Sequence, residues 1–186
     1  MQTKTSFNIK KLTYLAMLTA LIILLQLVIA PLIGAATGLS PSLVLIPIVL
    51  GVASCGIGAG AWLGAVFSFI VMFDPTTVPF LEFNPILTVL LVFVKGVGAA
   101  LIAGLLFKLL QKRNKYLAVI VAAISAPIAN TGIFVIGCLL FFRALTGVGI
   151  YSLFITVNFA LEVIVNAVFV PVVYHLLEAT GILNKR

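Results

Sequence analysis

Acidic and metal-binding side chains are scarce in this sequence, which has four Asp and Glu residues together, one histidine and two cysteines. Cys55 and Cys138 lie far apart and form no C-x-x-C pair, so neither a disulfide framework nor a cysteine metal site is expected. A single histidine, His175, cannot build a histidine-rich metal centre. The H-E-x-x-H, G-x-S-x-G and Walker motifs are also missing. These absences argue against an enzyme or a cofactor and place any ATP hydrolysis on another chain.

Charge of either sign is rare as well. Charged residues make up 8% of the 186 residues and hydrophobic residues 63%, and the mean hydropathy is +1.36. No soluble domain needs so much apolar surface, so the composition indicates an all-α polytopic membrane protein. At about 25 to 30 residues per span and connection, the length fits six transmembrane helices in a single integral membrane domain, residues 1–186.

Apolar runs separated by proline- and glycine-rich breaks predict where these six spans lie. Pro31 is expected to end the first span, and the segments 31–41 and 74–83 are predicted loops. The second and third spans are short and need tilt to cross about 30 Å of hydrocarbon. The predicted spans are 10–30, 42–56, 59–73, 84–111, 116–142 and 152–177.

The basic residues are divided unevenly between the two sides of these spans. The net charge is +7, and nine of the eleven Lys and Arg residues fall in segments on one side. Because cytoplasmic segments of membrane proteins carry the excess of Lys and Arg, both termini are predicted to be cytoplasmic. Topology thus accounts for the basic charge, and no nucleic-acid partner is expected. The nine residues are Lys4, Lys10, Lys11, Lys108, Lys112, Arg113, Lys115, Lys185 and Arg186.

Two charged side chains, Lys95 and Glu162, fall near the middle of predicted spans. Lys95 lies about 16 Å along its helix from Asn84, at a rise of ~1.5 Å per residue. A cation at that depth costs at least ~2.5 kcal/mol, so it should be paired or face a polar cavity. Polar residues of three successive helices converge on the same level. This predicted polar layer comprises Asn84, Thr88, Lys95, Asn130, Thr131, Asn158, Glu162 and Asn166.

Two interpretations of the polar layer remain open. In one, Lys95 and Glu162 form a buried ion pair, and the asparagines satisfy backbone groups between helices. In the other, the layer lines a pocket for a small polar molecule, with Lys95 facing a carboxylate and the loops 31–41 and 74–83 closing over it. Intramembrane ionisable groups are usually functional, which favours the pocket. A self-contained, proton-coupled secondary transporter is a further alternative.

Ala16 and Ala20 lie four residues apart, so they share one face of the first span and permit close approach of another helix. Together with the chain length, six spans and cytoplasmic termini, this A-x-x-x-A pattern resembles the substrate-binding S-components of energy-coupling factor (ECF) vitamin transporters. The Asn130-Thr131-Gly132 step and the segment from Glu162 to Asn166 are similar to one branch of that family. This branch contains the pantothenate, folate and hydroxymethylpyrimidine S-components.

The resemblance implies a subunit of a prokaryotic plasma membrane that captures a vitamin from outside. Its partners would be a transmembrane coupling subunit, contacted through Ala16 and Ala20, and two cytoplasmic ATPase subunits. Pantothenate is the first choice of substrate because its carboxylate suits Lys95 and its other groups suit asparagines. Folate and a hydroxymethylpyrimidine or thiamine precursor are the alternatives. The implied substrate-binding residues are Lys95, Asn84, Thr88, Asn130, Thr131, Asn158, Glu162 and Phe83.

Overall fold

The computed structural model of the chain describes residues 9–37, 42–143, 145 and 150–180, with the backbone alone over 150–156. All regular secondary structure within these ranges is helical. The elements are α1 (Ile9–Leu24), a π-helical turn (Leu25–Ile29), α2 (Ala30–Thr37), α3 (Leu45–Cys55), α4 (Ile57–Val71), a 3₁₀ turn (Pro75–Thr77), α5 (Val78–Phe83), α6 (Pro85–Leu110), α7 (Lys115–Phe141) and α8 (Ile150–Ala179).

Length and composition identify four helical segments that can cross a membrane, namely Ile9–Thr37, Pro85–Leu110, Lys115–Phe141 and Val157–Ala179. A fifth is possible if α4 and the segment Pro75–Phe83, which are bent by 77° relative to each other, count as one broken span. At 11 residues, α3 is shorter than a bilayer requires. The all-α, polytopic membrane class is therefore confirmed, while the count of six spans and the cytoplasmic termini stay predictions.

The structure differs from the predicted loops at two places, of which the first is the segment 31–41. The first helix does not end at Pro31 but continues to Thr37, and residues 38–41 lie outside the described ranges. A π-helical turn ends at Ile29, two residues before the proline, and the Ala30 N–H bonds to the Leu25 carbonyl. This wider turn gives room where a proline ring would otherwise meet the carbonyl of the preceding turn.

The second difference is the segment 74–83, which was predicted as a loop and is helical almost throughout. The Asp74 side chain accepts a hydrogen bond from the Thr76 N–H, 2.9 Å, and Pro75 follows it at the first position of the 3₁₀ turn. An acidic cap followed by proline starts a helical turn because the proline needs no N–H partner there. The segment therefore forms a short helix, α5, in place of an irregular loop.

Helices α6 and α7 form the centre of the bundle, and α1 lies at its edge. In the most hydrophobic 18-residue stretch of α6, and likewise of α7, 39% of the residues are buried. In the corresponding stretch of the first span, 11% are buried. Small side chains allow the central helices to approach closely. Those fully buried are Ala99, Ala100, Ala103, Ala118, Ala122, Ala123 and Ala126.

A glycine pair sets the crossing of α4 and α6. A Cβ added at Gly64 would lie 2.6 Å from the carbonyl oxygen of Gly96, so the two backbones are almost in contact. The buried Ser68 hydroxyl sits at the same crossing, 2.9 Å from the Val92 carbonyl oxygen of α6. This contact holds α4 against the helix that carries Lys95.

We predict that Gly64→Ala destabilises the protein by about 1 to 3 kcal/mol, because its methyl group would overlap backbone that cannot easily move. Thermal unfolding in detergent measures the effect. Gly58→Ala is the matched control in the same helix, since a Cβ at Gly58 meets nothing within 4 Å. The control should be neutral or slightly stabilising, and equal destabilisation by both variants would contradict the assignment of Gly64.

Candidate functional site

Lys95 lies on α6 with its side chain partly buried. Its Nζ is 4.6 Å from the centroid of the Phe134 ring of α7, a cation–π contact. Among the described side chains the one ion pair joins Lys115 and Glu178, with 3.7 Å between Nζ and Oε1. Lys95 and Glu162 therefore do not form the buried ion pair of the structural interpretation.

A small cavity of about 70 Å³ adjoins the Lys95 side chain. One water molecule occupies roughly 10 to 15 Å³ on this measure, so the space holds a few waters. Its lining combines one cation with three hydroxyls and three phenylalanine rings. The lining residues are Val71, Thr76, Thr77, Phe80, Thr88, Leu91, Val92, Lys95, Phe134 and Phe142.

Aromatic rings cover this cavity on the side of α5. Phe80 is 7% exposed, and its ring packs against Phe134 and Phe142 with centroid distances of 5.8 and 5.3 Å. Phe83, which is more exposed, contacts Phe142 at 5.8 Å. Tilted and edge-to-face ring pairs of this kind each contribute about 0.5 to 1.5 kcal/mol beyond their burial. They hold α5 down over the cavity.

Threonine hydroxyls also hold the short helix α5 in place, through hydrogen bonds to backbone carbonyls. The Thr88 hydroxyl lies 2.7 Å from the Phe80 carbonyl oxygen and 2.8 Å from that of Asn84. The Thr77 hydroxyl donates to the Val71 carbonyl oxygen, 2.8 Å. Two cavity-lining threonines thus use their hydroxyls to hold the backbone of the cover.

A longer-range hydrogen bond ties the cover to the first span. Asp74 begins the 3₁₀ turn, and its Oδ2 accepts a hydrogen bond of 3.1 Å from Gln26 Nε2. Gln26 belongs to the π-helical turn of the first span. A π-turn displaces side chains relative to a regular α-helix, and such turns are frequent at functional positions.

Glu162 lies in a separate polar cluster between α7, α8 and the start of the segment leading into α3. It is 6% exposed, and its Oε1 accepts a hydrogen bond of 2.9 Å from the Ser42 N–H. Thr131 donates a longer one, 3.4 Å, to Oε2. Asn166 is fully buried and donates from Nδ2 to the Glu162 carbonyl oxygen, 2.8 Å, while its Oδ1 makes no hydrogen bond. Asn130 is also buried, with Oδ1 unbonded.

The family comparison covers nearly the whole chain. A sequence model of the family "ECF transporter, substrate-specific component" matches residues 10–174. The chain belongs to this family. Comparison with curated proteins and with solved structures gave no match. As a substrate-specific component, the protein is a multi-pass membrane protein of a transporter, a class that takes a small-molecule substrate and works with the other subunits of an ECF module.

The structure divides the predicted site residues of this substrate-specific component into groups. Lys95 and Thr88 line the cavity, and Phe83 packs on its cover. Asn84 caps α6, since its side chain accepts from the Leu87 N–H at 3.1 Å. The remaining polar residues lie on α7 and α8 and do not line the cavity; they are Asn130, Thr131, Asn158 and Glu162.

Of the ten cavity-lining residues, the predicted site contained two, Thr88 and Lys95. The eight that it did not contain include the polar Thr76 and Thr77 and the aromatic Phe134 and Phe142. Phe134 lies four residues after Asn130 on α7, so helical spacing could have placed it on the polar stripe. Thr76 and Thr77 carried no such signal, because they lie in a segment predicted to be irregular. Phe80, which lies in that same segment, is the central residue of the cover.

We predict that Glu162→Ala lowers the free energy of unfolding by about 1 to 3 kcal/mol, since it leaves the Ser42 N–H without its acceptor. Thermal unfolding of the purified protein measures this loss. The exposed Glu82 is the control, and Glu82→Ala should change stability by no more than about 0.5 kcal/mol. An unchanged melting temperature for Glu162→Ala would show that the Ser42 contact contributes nothing.

Proposed function

We propose that this substrate-specific component captures a small vitamin carrying a carboxylate from outside the cell, with pantothenate as the first candidate. The observation that carries the proposal is the Lys95 ammonium, which adjoins a hydroxyl-lined cavity and is not ion-paired to the carboxylate of Glu162. The aromatic face of Phe134 compensates part of the charge, but a ring is a weaker partner than an anion. A substrate carboxylate would supply the missing charge.

The remaining cavity groups suit the rest of such a molecule. Pantothenate has hydroxyls and an amide N–H that can donate. The hydroxyls of Thr76, Thr77 and Thr88 already donate within the protein, so their oxygens can accept hydrogen bonds from these groups. A neutral pyrimidine offers no anion to Lys95, and folate is far larger. These two substrates remain the alternatives.

Binding requires the cavity to enlarge, because about 70 Å³ is well below the roughly 300 Å³ of even a small ligand pocket. We propose that α5 moves as the lid. Lifting α5 would withdraw the Phe80 ring and would also separate the Phe80 carbonyl from the Thr88 hydroxyl. The Thr88 hydroxyl would still donate to the Asn84 carbonyl, and its oxygen would be open to accept a hydrogen bond from the substrate.

The partner surface that we propose is the face of α1 that carries Ala16 and Ala20. Both alanines are exposed, while Leu18 and Ile22 on the opposite face are buried against the bundle. A coupling subunit would pack on the small side chains, and two cytoplasmic ATPases would complete the importer. The six-span topology with both ends in the cytoplasm of a prokaryotic cell belongs to the same proposal.

We predict that Lys95→Met weakens pantothenate binding about 10- to 100-fold, the value of one charge-assisted hydrogen bond. Isothermal titration of the purified protein measures the affinity. Lys112→Met, at an exposed lysine of the loop after α6, is the control and should bind normally. If folded Lys95→Met binds as tightly as the parent protein, Lys95 does not contact the carboxylate.

Ala16→Leu combined with Ala20→Leu should abolish co-purification with the coupling subunit and leave vitamin binding intact, because larger side chains block close helix approach. Ala160→Leu, at an exposed alanine of α8, is the matched control and should assemble normally. Assembly of the double variant at the parent level would exclude this face as the interface.

A further inference from the structure

A second and much larger hollow lies at the other end of the bundle, where the basic residues gather. It is a groove of about 1080 Å³ between the start of α1, the α3–α4 turn, and the ends of α6, α7 and α8. We call it the basic groove. Its polar and basic lining includes Lys10, Lys11, Tyr14, Ser54 and Lys108, and Gly56 lies at the turn that borders it.

The short α3 creates this groove. The chain reverses at Gly56, whose φ of +102° favours glycine, and α4 begins at once. Ile57 lies against Gly104 of α6, since a Cβ at Gly104 would come within 2.9 Å of the Ile57 side chain. α6 continues towards Gln111, about 10 Å further at ~1.5 Å per residue, and leaves a recess beyond the turn.

The charge of the groove is strongly positive. Lys10, Lys11 and Lys108 line it with exposed side chains, and Lys115 adds a fourth ammonium. Glu178 is the single acidic residue among those that line the groove, and it pairs with Lys115. Three lysines are therefore left over to attract an anion, at the end of the bundle that the positive-inside rule assigns to the cytoplasm.

Two buried hydroxyls at the groove point to a ligand with hydrogen-bond acceptors. The Tyr14 and Ser54 hydroxyls are buried beside each other, and beyond this contact neither has a hydrogen-bond partner among the described residues, so at least one hydroxyl hydrogen is left for an acceptor on a ligand. The N-terminus of α4 opens onto the same place, and its cap residue, Gly56, has no side chain with which to satisfy the first N–H groups. The partial positive charge at the N-terminus of α4 adds to the attraction for an anion.

The other walls of the groove are apolar. Met17, Val52, Ile57 and Phe107 line it beside the lysines. Met17 is 66% exposed on α1, the helix at the edge of the bundle, so the groove is accessible from the surrounding bilayer. A soluble anion would gain nothing from contact with these apolar walls, whereas a phospholipid carries both a phosphate for the lysines and an acyl chain for the apolar walls.

We propose that the basic groove binds an anionic phospholipid of the cytoplasmic leaflet, with its phosphate among Lys10, Lys11 and Lys108 and its acyl chain along Met17 and Phe107. This assignment does not depend on the identity of the vitamin. Lipid bound there would contact α1 close to the predicted coupling-subunit face, since Met17 directly follows Ala16.

Native mass spectrometry of the purified protein tests the proposal. Dioleoylphosphatidylglycerol and dioleoylphosphatidylcholine are titrated in parallel into protein in a non-ionic detergent. We expect the anionic lipid to be retained several-fold better, and each of Lys11→Gln and Lys108→Gln to lower its retention about fivefold. Lys112→Gln is the matched control, because Lys112 lies one turn beyond Lys108 and does not line the groove. It should retain the lipid as the parent does.

Tyr14→Phe separates binding from folding. Because the neighbouring Ser54 is the one partner of the Tyr14 hydroxyl among the described residues, its removal should change the melting temperature little while lipid retention falls. Equal retention of the two lipids, or an equal loss with Lys112→Gln, would overturn the proposal. Displacement of phosphatidylglycerol by millimolar inorganic phosphate would assign the groove to a free anion. Normal lipid retention by Lys108→Gln with loss of the coupling subunit would assign it to a protein partner.

Discussion

An ammonium group part-way along an apolar helix has to be compensated, and the structure of this substrate-specific component is arranged around that need. The bundle does not compensate Lys95 with an ion pair to the Glu162 carboxylate. Lys95 instead contacts the Phe134 ring at 4.6 Å and borders a small cavity with three threonine hydroxyls. Glu162 is stabilised separately, by the Ser42 N–H and the Thr131 hydroxyl. Because the two charges are kept apart, the cation is not neutralised by a carboxylate of the protein, as it would be in a closed ion pair.

The cover over this cavity is connected to the part of the chain that we assign to the coupling subunit. Asp74, which starts the covering segment, accepts a hydrogen bond from Gln26 in the π-helical turn of the first span. Ala20 and Ala16 lie in the same continuous helical segment, about two and three turns before Gln26. This segment at the edge of the bundle thus contacts the cover near its middle, presents an exposed small-residue face closer to its N-terminal end, and borders the basic groove at its start.

Much of this fold could be predicted from local sequence. The bounds of α6, α7 and α8 lie within two residues of the predicted spans, because long apolar runs with polar ends must form helices where no water can satisfy the backbone. The spacing of Thr88 and Lys95 on one stripe of α6 likewise predicted two residues that line the same cavity. Helical periodicity is a property of one segment, so one segment is enough to reveal it.

The sequence by itself determined the membrane class, the long helices and the cost of placing Lys95 at depth. The tertiary structure decided which groups compensate the buried charges, because the partners of Lys95 and Glu162 come from segments far apart in the chain. Phe134 reaches Lys95 from another helix, and Ser42 reaches Glu162 across 120 positions. The helix through Pro31 and the helical cover at 78–83 depend in the same way on their surroundings, on a widened turn in one case and on buried Phe80 in the other. Local sequence patterns determine which surfaces must be buried. The packing of the whole chain determines which residues each of those surfaces is buried against.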